Sequence, residues 1–483
     1  MGFFEREYLR GESPKVRISE QNTKGKHVFL FISKRKCSST EGQDTFFLEN
    51  NLFTTEKKSN FVENFSDYPP MNKIESFVYN KVKNNYVIKN LLRNAYQTFF
   101  DLLPNYESTF REAPILRENS FFGFHDVTPF SSDGTKHLAY RLSIPLRMPT
   151  RDDLLEIGYW TGENFSEWVH LGETGAWNYH KGCRLQWVDA HRCIFNNVAD
   201  GQLCADIIHV DTLETTRLSW PIDTVSHDGR QATTFSYERL QAMMPGYGYL
   251  YGDADAYMDE RVSGKTGLFM IDLQTNERQL LLSLKDLSEF QHESSMDDTF
   301  HFVTHTEFSR DNRYLSFLHR WYKGTFHRTR LIVYDLQQKQ LFASPTTGMV
   351  SHYNWNAQNG IVAYCRMENE DSHVYFSGPD MKEWKRCAYP RINVDGHQFF
   401  LDNDWFLVDT YPDRRRHAKL YKVNRVTDEV VLLADVQSPK QFVAPDPQHW
   451  WKCDLHPRSD DSGRYASFDT VHTGIRSLCI LRL

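Results

Sequence analysis

The string HTEFSRDNRYLSFLHR at 305–320 combines a histidine at the start of an apolar strand with a Ser-x-Asp turn, and the fold prediction depends on this pair of features. Histidine-led strings recur along the chain: FHDVTPF (His125), YHKGCRLQW (His180), SHDGRQATTF (His227), THTEFS (His305), SHYNWN (His352), GHQFFL (His397) and LHPRSD (His456). Successive histidines are 55, 47, 78, 47, 45 and 59 residues apart. Because a four-stranded propeller blade takes about 40 to 50 residues, seven histidines predict seven blades.

Each repeating unit also shows the same order of strands and turns. Ser-x-Asp turns between two apolar runs occur in SSDGTKHLAY (131–140), SRDNRYLSF (309–317) and SDDSGRYASF (459–468). A second pair of apolar runs follows in IIHVDTLETTRL (207–218), LFMIDLQTNERQLLL (268–282), LIVYDLQQKQLF (331–342) and LYKVNRVTDEVVLL (420–433). Asp, Asn and Gly favour tight hairpin turns, so each unit is predicted to contain strands A, B, C and D. An all-β seven-bladed propeller is favoured over a sandwich, which would have no reason to repeat one order at one period.

The last unit ends at Leu483 directly after its third strand, SLCILRL. A circular fold avoids an exposed edge by borrowing a strand from its beginning. We therefore predict that the segment APILREN (113–119) completes the last blade, with the propeller occupying 112–483.

Residues 1–111 do not fit the repeat and are predicted to form a partly helical extension. Apolar residues at three-and-four spacing predict an amphipathic helix over about 74–103, which Pro104 would end. Its apolar stripe would pack against the propeller, or alternatively dock on a partner or on a second copy of the chain.

Composition and charge limit the classes of function. The formal charge of −7 gives no general attraction to nucleic acid or to an anionic membrane. Neither a secretory apolar region nor a run of about 18 apolar residues is present, so we expect a cytoplasmic protein without a membrane span. The eight cysteines include no CxxC pair and are expected to be reduced.

The geometry of a propeller predicts that the repeated histidines lie together in one site. The first strand of every blade lines the central channel, and the end of strand B lies beside the start of strand A. The residues predicted at the B ends are polar: Arg141, Asn196, Asn197, Asp253, His319, Arg320, Arg366, Asp409, Tyr411, Asp469 and His472. A ring of imidazoles bordered by such groups predicts a concave polar site for an anionic ligand.

The string FSRDNRYLSF at 308–317 resembles the TolB-like repeat, in which a strand runs into Phe-Ser-x-Asp-x-x-x-Leu-x-Phe. With the preceding histidine, the C-terminal half is similar to the oligogalacturonate lyases. These are seven-bladed propeller enzymes that split uronic-acid oligosaccharides by β-elimination with a divalent metal, usually manganese. The resembling strings are HTEFSRDNRYLSFLHR (305–320), SHYNWN (351–356), GHQFFLDND (396–404) and LHPRSDDSGRYASF (455–468).

The resemblance implies roles for individual residues. His305 corresponds to the catalytic histidine of that family, and His352 and His456 correspond to metal ligands. The family has a glutamine and a second histidine where this chain has Cys453 and Arg458. Either Arg458 replaces part of the metal's charge, or His397 completes a different set of ligands.

These roles give a predicted mechanism. A neutral His305 would remove the C5 proton of a uronate while a metal or an arginine neutralises the adjacent carboxylate. Arg320 and Tyr411 join His305 as predicted catalytic residues, because an arginine would clamp the carboxylate and Tyr411 or water would protonate the leaving oxygen. The predicted metal ligands are His352, His397 and His456, and the predicted substrate-binding residues are His125, His180, Arg184, His227, Arg230, Arg366 and Arg458.

Three functional classes follow from this pattern. A lyase acting on an acidic oligosaccharide or polysaccharide is the first. The second is another glycan-processing enzyme, a hydrolase or transferase of cell-surface polysaccharide metabolism, with Asp253, Asp409 or Asp469 in the acid and base roles. The third is a binding propeller without catalysis, in which the histidines tie the blades together. That structural role is expected more for His125, His180 and His227 than for the other histidines.

Overall fold

A computed structural model describes residues 106–323, 326–442 and 450–483. The predicted helix at about 74–103 lies outside these residues. Within them the chain forms seven antiparallel sheets, which follow one another in sequence order as the blades of a propeller. The predicted all-β, seven-bladed fold is confirmed.

Two short strands, β1 (Thr109–Phe110) and β2 (Ile115–Glu118), precede the first blade. Blade 1 contains β3 (Ser120–Phe121), β4 (His137–Arg141), β5 (Leu155–Thr161) and β6 (Glu167–Thr174). Blade 2 contains β7 (Gln186–Trp187), β8 (Arg192–Ala199), β9 (Gln202–His209) and β10 (Thr215–Leu218). Blade 3 has β11 (Gln231–Thr234), β12 (Gly267–Asp272) and β13 (Arg278–Ser283). Its innermost segment, 223–226, pairs with β11 through backbone hydrogen bonds and takes the place of strand A.

The remaining blades repeat the pattern. Blade 4 contains β14 (Phe300–Phe308), β15 (Tyr314–Lys323), β16 (Phe326–Asp335) and β17 (Gln340–Ala343). Blade 5 contains β18 (Val350–Trp355), β19 (Ile361–Met367), β20 (Glu370–Phe376) and β21 (Trp384–Arg386). Blade 6 contains β22 (Gln398–Phe400), β23 (Trp405–Asp409), β24 (His417–Asn424) and β25 (Val430–Gln437). Blade 7 contains β26 (Arg458–Ser459), β27 (Tyr465–Thr470) and β28 (Ser477–Arg482).

Two α-helices lie in sequence before and after the outer strands β12 and β13 of blade 3. Helix α1 (Tyr237–Met243) begins after Ser236, whose hydroxyl accepts a hydrogen bond from the Arg239 N–H. Helix α2 (Leu284–Glu289) begins with a reciprocal capping box between Ser283 and Asp286. Short 3₁₀ turns lie at Glu163–Phe165, Ser294–Met296 and Lys440–Phe442. No helix in the described ranges is both long and apolar enough to cross a membrane.

The Ser-x-Asp turns join strands A and B by one hydrogen-bond pattern. In blades 1, 3 and 4 the turn serine donates to the aspartate two residues later, over 2.6, 2.6 and 2.7 Å. The same serine oxygen accepts from the backbone N–H five residues later, at 2.9, 3.0 and 2.9 Å. The hairpin therefore recurs because one local arrangement satisfies the polar groups of each turn.

Seven hydrophobic clusters fill the spaces between neighbouring blades, one for each pair. The cluster between blades 7 and 1 contains Phe130, Ala139, Tyr465, Leu478 and Ile480. Because each sheet buries both faces against its neighbours, stability depends on a closed ring.

The ring closes as the sequence predicted. Strand β2 pairs antiparallel with β28, with Ile115 opposite Ile480 and Glu118 opposite Ser477, and completes blade 7. Strand β1 also adds a fifth strand to blade 6 by pairing with β25. This second addition was not predicted, because a strand of two residues has no readable alternation of apolar and polar side chains.

Candidate functional site

Six of the seven predicted histidines meet at one end of the central channel, around the buried ring of Phe124. The ring centroid of Phe124 lies 4.6 to 6.1 Å from those of His125 (4.6 Å), His180 (5.6 Å), His305 (4.8 Å), His352 (6.1 Å), His397 (6.0 Å) and His456 (5.2 Å). We call these six residues the central histidines. Each is at most 5% exposed.

The prediction that His227 shares this opening is wrong. His227 stands between Ser226 and Asp228 in the A–B turn of blade 3. Its backbone N–H donates to the side-chain oxygen of Asn312 in the corresponding turn of blade 4. It therefore lies at the opposite face of the channel. Arg230 is in the same turn, its side chain 84% exposed, and it does not join the central histidines. Aligning the strings on their turn serine instead of their histidine would have revealed the difference.

Blade 3 contributes a carboxylate to the centre instead of an imidazole. Asp223 is fully buried and accepts hydrogen bonds from the backbone N–H and the hydroxyl of Thr306 in blade 4, at 2.9 and 2.7 Å. Its other oxygen is 3.1 Å from Lys181 Nζ, and that ammonium group lies 5.0 Å from the centroid of Phe124. Neither Asp223 nor Lys181 was predicted to belong to the site.

His305 occupies a β-bulge in β14, where the register with β15 shifts between Thr304 and Glu307. Its φ of 56° is unusual for a residue other than glycine, and both features redirect a side chain at functional sites. Nδ1 is 2.7 Å from the Thr304 hydroxyl, whereas the buried Nε2 has no hydrogen-bond partner among the described residues. Burial, with Lys181 and Arg320 nearby, holds the pKa of His305 well below its usual value. The imidazole is therefore neutral and can accept a proton at Nε2.

His352 and His397 each face a carboxylate. His352 Nδ1 lies 3.3 Å from Asp395, and His397 Nδ1 lies 3.0 Å from both oxygens of Asp409. Burial alone would lower the pKa of His397, but the Asp409 carboxylate outweighs burial and leaves this pKa above its usual value. Burial dominates at His352 and lowers its pKa. The two adjacent imidazoles, with centroids 4.0 Å apart, thus favour different protonation states.

A potential metal-binding group lies beside them. Donor atoms of His180, Asp454 and His456 all lie within 4.8 Å of one another, and all three residues are buried. The four ring nitrogens of His180 and His456 have no hydrogen-bond partner in the described part of the chain. Two imidazoles and one carboxylate suit a divalent metal such as manganese or zinc. Of the predicted ligands His352, His397 and His456, only His456 belongs to this group.

Cationic and phenolic side chains border the central histidines. Lys452 Nζ is 2.8 Å from Asp454 and 4.9 Å from the ring centroid of Tyr411, which lies 5.7 Å from that of His397. Burial raises the pKa of Tyr411 well above its usual value, so its phenol keeps its proton. The Tyr247 ring is 4.3 Å from that of His180. Burial lowers the pKa of Arg320, and the nearby Tyr247, Asp395 and Tyr411 partly offset this effect.

Lys452, Asp454 and Tyr247 were not predicted. Lys452 and Asp454 stand four and two residues before His456 in the string WKCDLHPRS, where charged residues before a strand start were a usable signal. Tyr247 comes from the long B–C connection of blade 3, whose only sequence signal was the 78-residue interval between His227 and His305.

The remaining predicted arginines are occupied elsewhere. Arg184 is buried and bonds Asp126 at 2.7 Å and the Asp223 carbonyl at 2.6 Å. Arg458 is fully buried and links blade 7 to blade 1. Arg366 pairs with Asp371 across the B–C hairpin of blade 5 at 2.6 Å, and its side chain is 42% exposed. None of the three is arranged as a free clamp for a ligand carboxylate.

The carboxylates proposed for a hydrolase also have structural partners. Asp409 accepts from the backbone N–H groups of His397 and His456 at 2.6 and 2.9 Å, and so joins blades 6 and 7. Asp469 accepts from the N–H groups of Phe122 and Gly123 at 3.0 and 2.9 Å. Asp253 accepts from the first N–H of helix α1 at 2.7 Å. The three belong to different blades and do not form an acid–base pair.

Comparisons with known proteins agree with this architecture. No family model matches the sequence, and no curated protein matches it. Among solved structures, the chain is similar to an oligogalacturonate lyase from Vibrio parahaemolyticus, with a TM-score of 0.51 and 10% identity, covering 78% of this chain and 98% of that one. The chain has the fold of the oligogalacturonate lyases. An oligogalacturonate lyase in complex with manganese is also similar, with a TM-score of 0.54 and 14% identity, covering 79% of this chain and 96% of that one.

Proposed function

We propose that this protein is a lyase that cleaves a uronic-acid-containing oligosaccharide by β-elimination. The observation that carries the proposal is the neutral His305, whose unpartnered Nε2 is buried among five other central histidines and beside cationic side chains. The likeness to two oligogalacturonate lyases supplies the reaction class as a hypothesis.

The first step is removal of the C5 proton of the uronate by His305 Nε2. The electrons of that C–H bond form the C4–C5 double bond as the C4–O bond breaks. Tyr411, which keeps its proton, donates it to the leaving oxygen and is later reprotonated from solvent. General acid–base catalysis of this kind accounts for roughly 10²- to 10⁴-fold in rate.

The acidity of C5 depends on neutralising the neighbouring carboxylate. Arg320, whose Nε lacks a hydrogen-bond partner among the described residues, is the cation available for this purpose, whereas Lys452 is paired with Asp454 at 2.8 Å. His180, Asp454 and His456 would hold a divalent metal, which when bound would add positive charge beside the uronate. His397 contributes less to metal binding, because its raised pKa favours the imidazolium, which cannot act as a ligand.

Product identity tests the proposal. The purified chain is incubated with trigalacturonate and other uronate oligosaccharides, with and without manganese. We expect a product with the ultraviolet absorbance of an unsaturated uronate, and we expect His305→Ala to abolish it. Saturated products with new reducing ends would show a hydrolase, and unchanged but bound ligand would show a binding propeller.

The metal assignment has its own test. Chelation is expected to lower the rate and manganese to restore it in the wild-type chain. His456→Ala should lose manganese binding in calorimetry, whereas His373→Ala, a change in a buried histidine outside the group, should retain it. Equal binding by both variants would refute this set of ligands.

A further inference from the structure

The opposite end of the central channel contains a second cavity. It has a volume of about 220 Å³, and residues from all seven blades line it. The A–B turns form its rim through Ser132, Ala190, His227, Arg310 and Asp461. None of the six central histidines contributes to its wall. Its inner end borders the proposed lyase site, because Asp126 and Glu307 also lie in the small pocket lined by His125, His305 and His352.

Two buried carboxyl groups line the inner end of this cavity. Asp126 and Glu307 are only 8% and 7% exposed. Glu307 Oε1 accepts from Asn354 Nδ2 at 2.7 Å, and Asp126 Oδ1 lies 2.7 Å from Arg184. The other oxygen of each group, Glu307 Oε2 and Asp126 Oδ2, has no hydrogen-bond partner among the described residues. Leaving such buried oxygens unmet costs free energy, which a ligand bearing hydrogen-bond donors would recover.

Asp126 is already paired with Arg184, so the attraction for a cation comes mainly from ionisation of Glu307. Burial raises the pKa of Glu307 well above its usual value, and the carboxylate of Asp126 raises it further. A cation beside both groups would favour the ionised form of Glu307 and so lower its pKa. At the rim, Arg310 and Asp461 are 3.7 Å apart and offset each other.

Size and wall chemistry favour an organic cation over a metal ion. Asp126 and Glu307 belong to neither of the groups of three metal-ligating side chains found in the described residues. The cavity is larger than an ion needs and smaller than the about 300–1,000 Å³ of drug-sized sites. Its wall includes Phe130, Trp187 and Phe399. Aromatic faces together with carboxylates are the groups that recognise ammonium ligands.

We propose that this cavity binds a small organic amine, with its ammonium group at Asp126 and Glu307 and its carbon skeleton against Trp187 and Phe399. Amine binding at this position does not require that the chain cleaves uronates.

Calorimetric titration of the full chain tests this proposal with matched pairs of probes. The amines are ethanolamine, putrescine and glucosamine, and their uncharged counterparts are ethylene glycol, 1,4-butanediol and glucose. We expect at least one amine to bind at least tenfold more tightly than its counterpart. Equal affinities within every pair, or no binding by any amine, would overturn the proposal.

Two variants locate the binding. Glu307→Gln keeps the shape of the side chain and should weaken amine binding at least tenfold, whereas Asp298→Asn, which removes an exposed carboxylate outside the cavity, should not. If Glu307→Gln does not fold, Ala190→Trp at the exposed rim provides the same test by blocking the entrance. Amine binding that survives in a folded Glu307→Gln or Ala190→Trp chain would refute the assignment.

Discussion

Two groups of buried histidines in this protein differ in their hydrogen bonding. In blade 4, His301 Nδ1 lies 2.9 Å from His319 Nε2, while His301 Nε2 meets the Thr299 hydroxyl and His319 Nδ1 accepts from Arg330. Both rings of this pair are fully buried, as the central histidines nearly are. Among the central histidines, however, six ring nitrogens have no hydrogen-bond partner in the described residues.

The comparison shows that burial alone does not identify a functional histidine. A buried imidazole with both nitrogens bonded contributes to stability, because its polar groups are satisfied. A buried imidazole with an unmet nitrogen carries a desolvation cost, and at a candidate site this nitrogen is free to meet a ligand, a metal or a reacting proton. His137 and His417 also have a buried Nε2 without a partner in the described ranges, so the central histidines are distinguished by having six such nitrogens around one ring, that of Phe124.

The largest effect is expected when the closed ring of blades is opened, because both groups of histidines depend on it. In the double variant Ile115→Pro, Arg117→Pro, strand β2 loses backbone donors and can no longer pair with β28. We expect cooperative thermal unfolding, followed by circular dichroism, to disappear or to shift down by more than about 10 °C. Thr109→Pro in β1, the fifth strand of blade 6, is the control and should have a much smaller effect. Similar losses in both variants would contradict a special role for closure.

His305→Asn should separate activity from stability. The change removes the unmet nitrogen, so we expect kcat to fall by about 10³-fold while the midpoint of urea unfolding stays close to the wild-type value. His301→Asn is the matched control, with kcat within about threefold of wild type. Comparable losses of kcat in the two variants would show that the distinction between the groups fails.

His301→Asn is expected to lower stability instead, by about 1–3 kcal/mol, because His319 and Thr299 each lose a partner. Burial lowers the pKa of His301 to about 4, whereas an unfolded histidine titrates near its usual value. Between these values the unfolded chain binds more protons, so stability falls as the pH drops from about 6.5 towards 4.

Urea unfolding at pH 7 and pH 5 measures this dependence. The His301→Asn chain lacks this titrating group. Between pH 7 and pH 5 its free energy of unfolding should therefore fall by about 2 kcal/mol less than that of the wild type. An identical loss in both chains would mean that folding does not lower the pKa of His301.

The smallest effect concerns the strand that carries His305. Ser309→Ala removes the hydroxyl that bonds Asp311 and the Tyr314 N–H. We expect a stability loss of about 1 kcal/mol and an unchanged kcat, because the turn lies at the end of the channel opposite the central histidines. A tenfold fall in kcat would indicate that the position of His305 depends on the turn.

Local features of the sequence were sufficient to predict the fold. The Ser-x-Asp turns and paired apolar runs recur because each hairpin satisfies its own backbone within a few residues. Strand β2 completes blade 7 by pairing with β28, as expected because an open sheet edge is unfavourable.

The composition of the site was decided only by tertiary structure. His227 shares the histidine of the repeat but lies in a turn, and Asp223, Tyr247 and Asp454 joined the site from segments without a shared motif. The sequence shows which histidines are present. Whether a ring nitrogen has a hydrogen-bond partner depends on neighbouring residues from other blades. Such neighbours come from distant parts of the chain, as in the contact of His125 with the carbonyl of Gln398, and a local pattern cannot specify them.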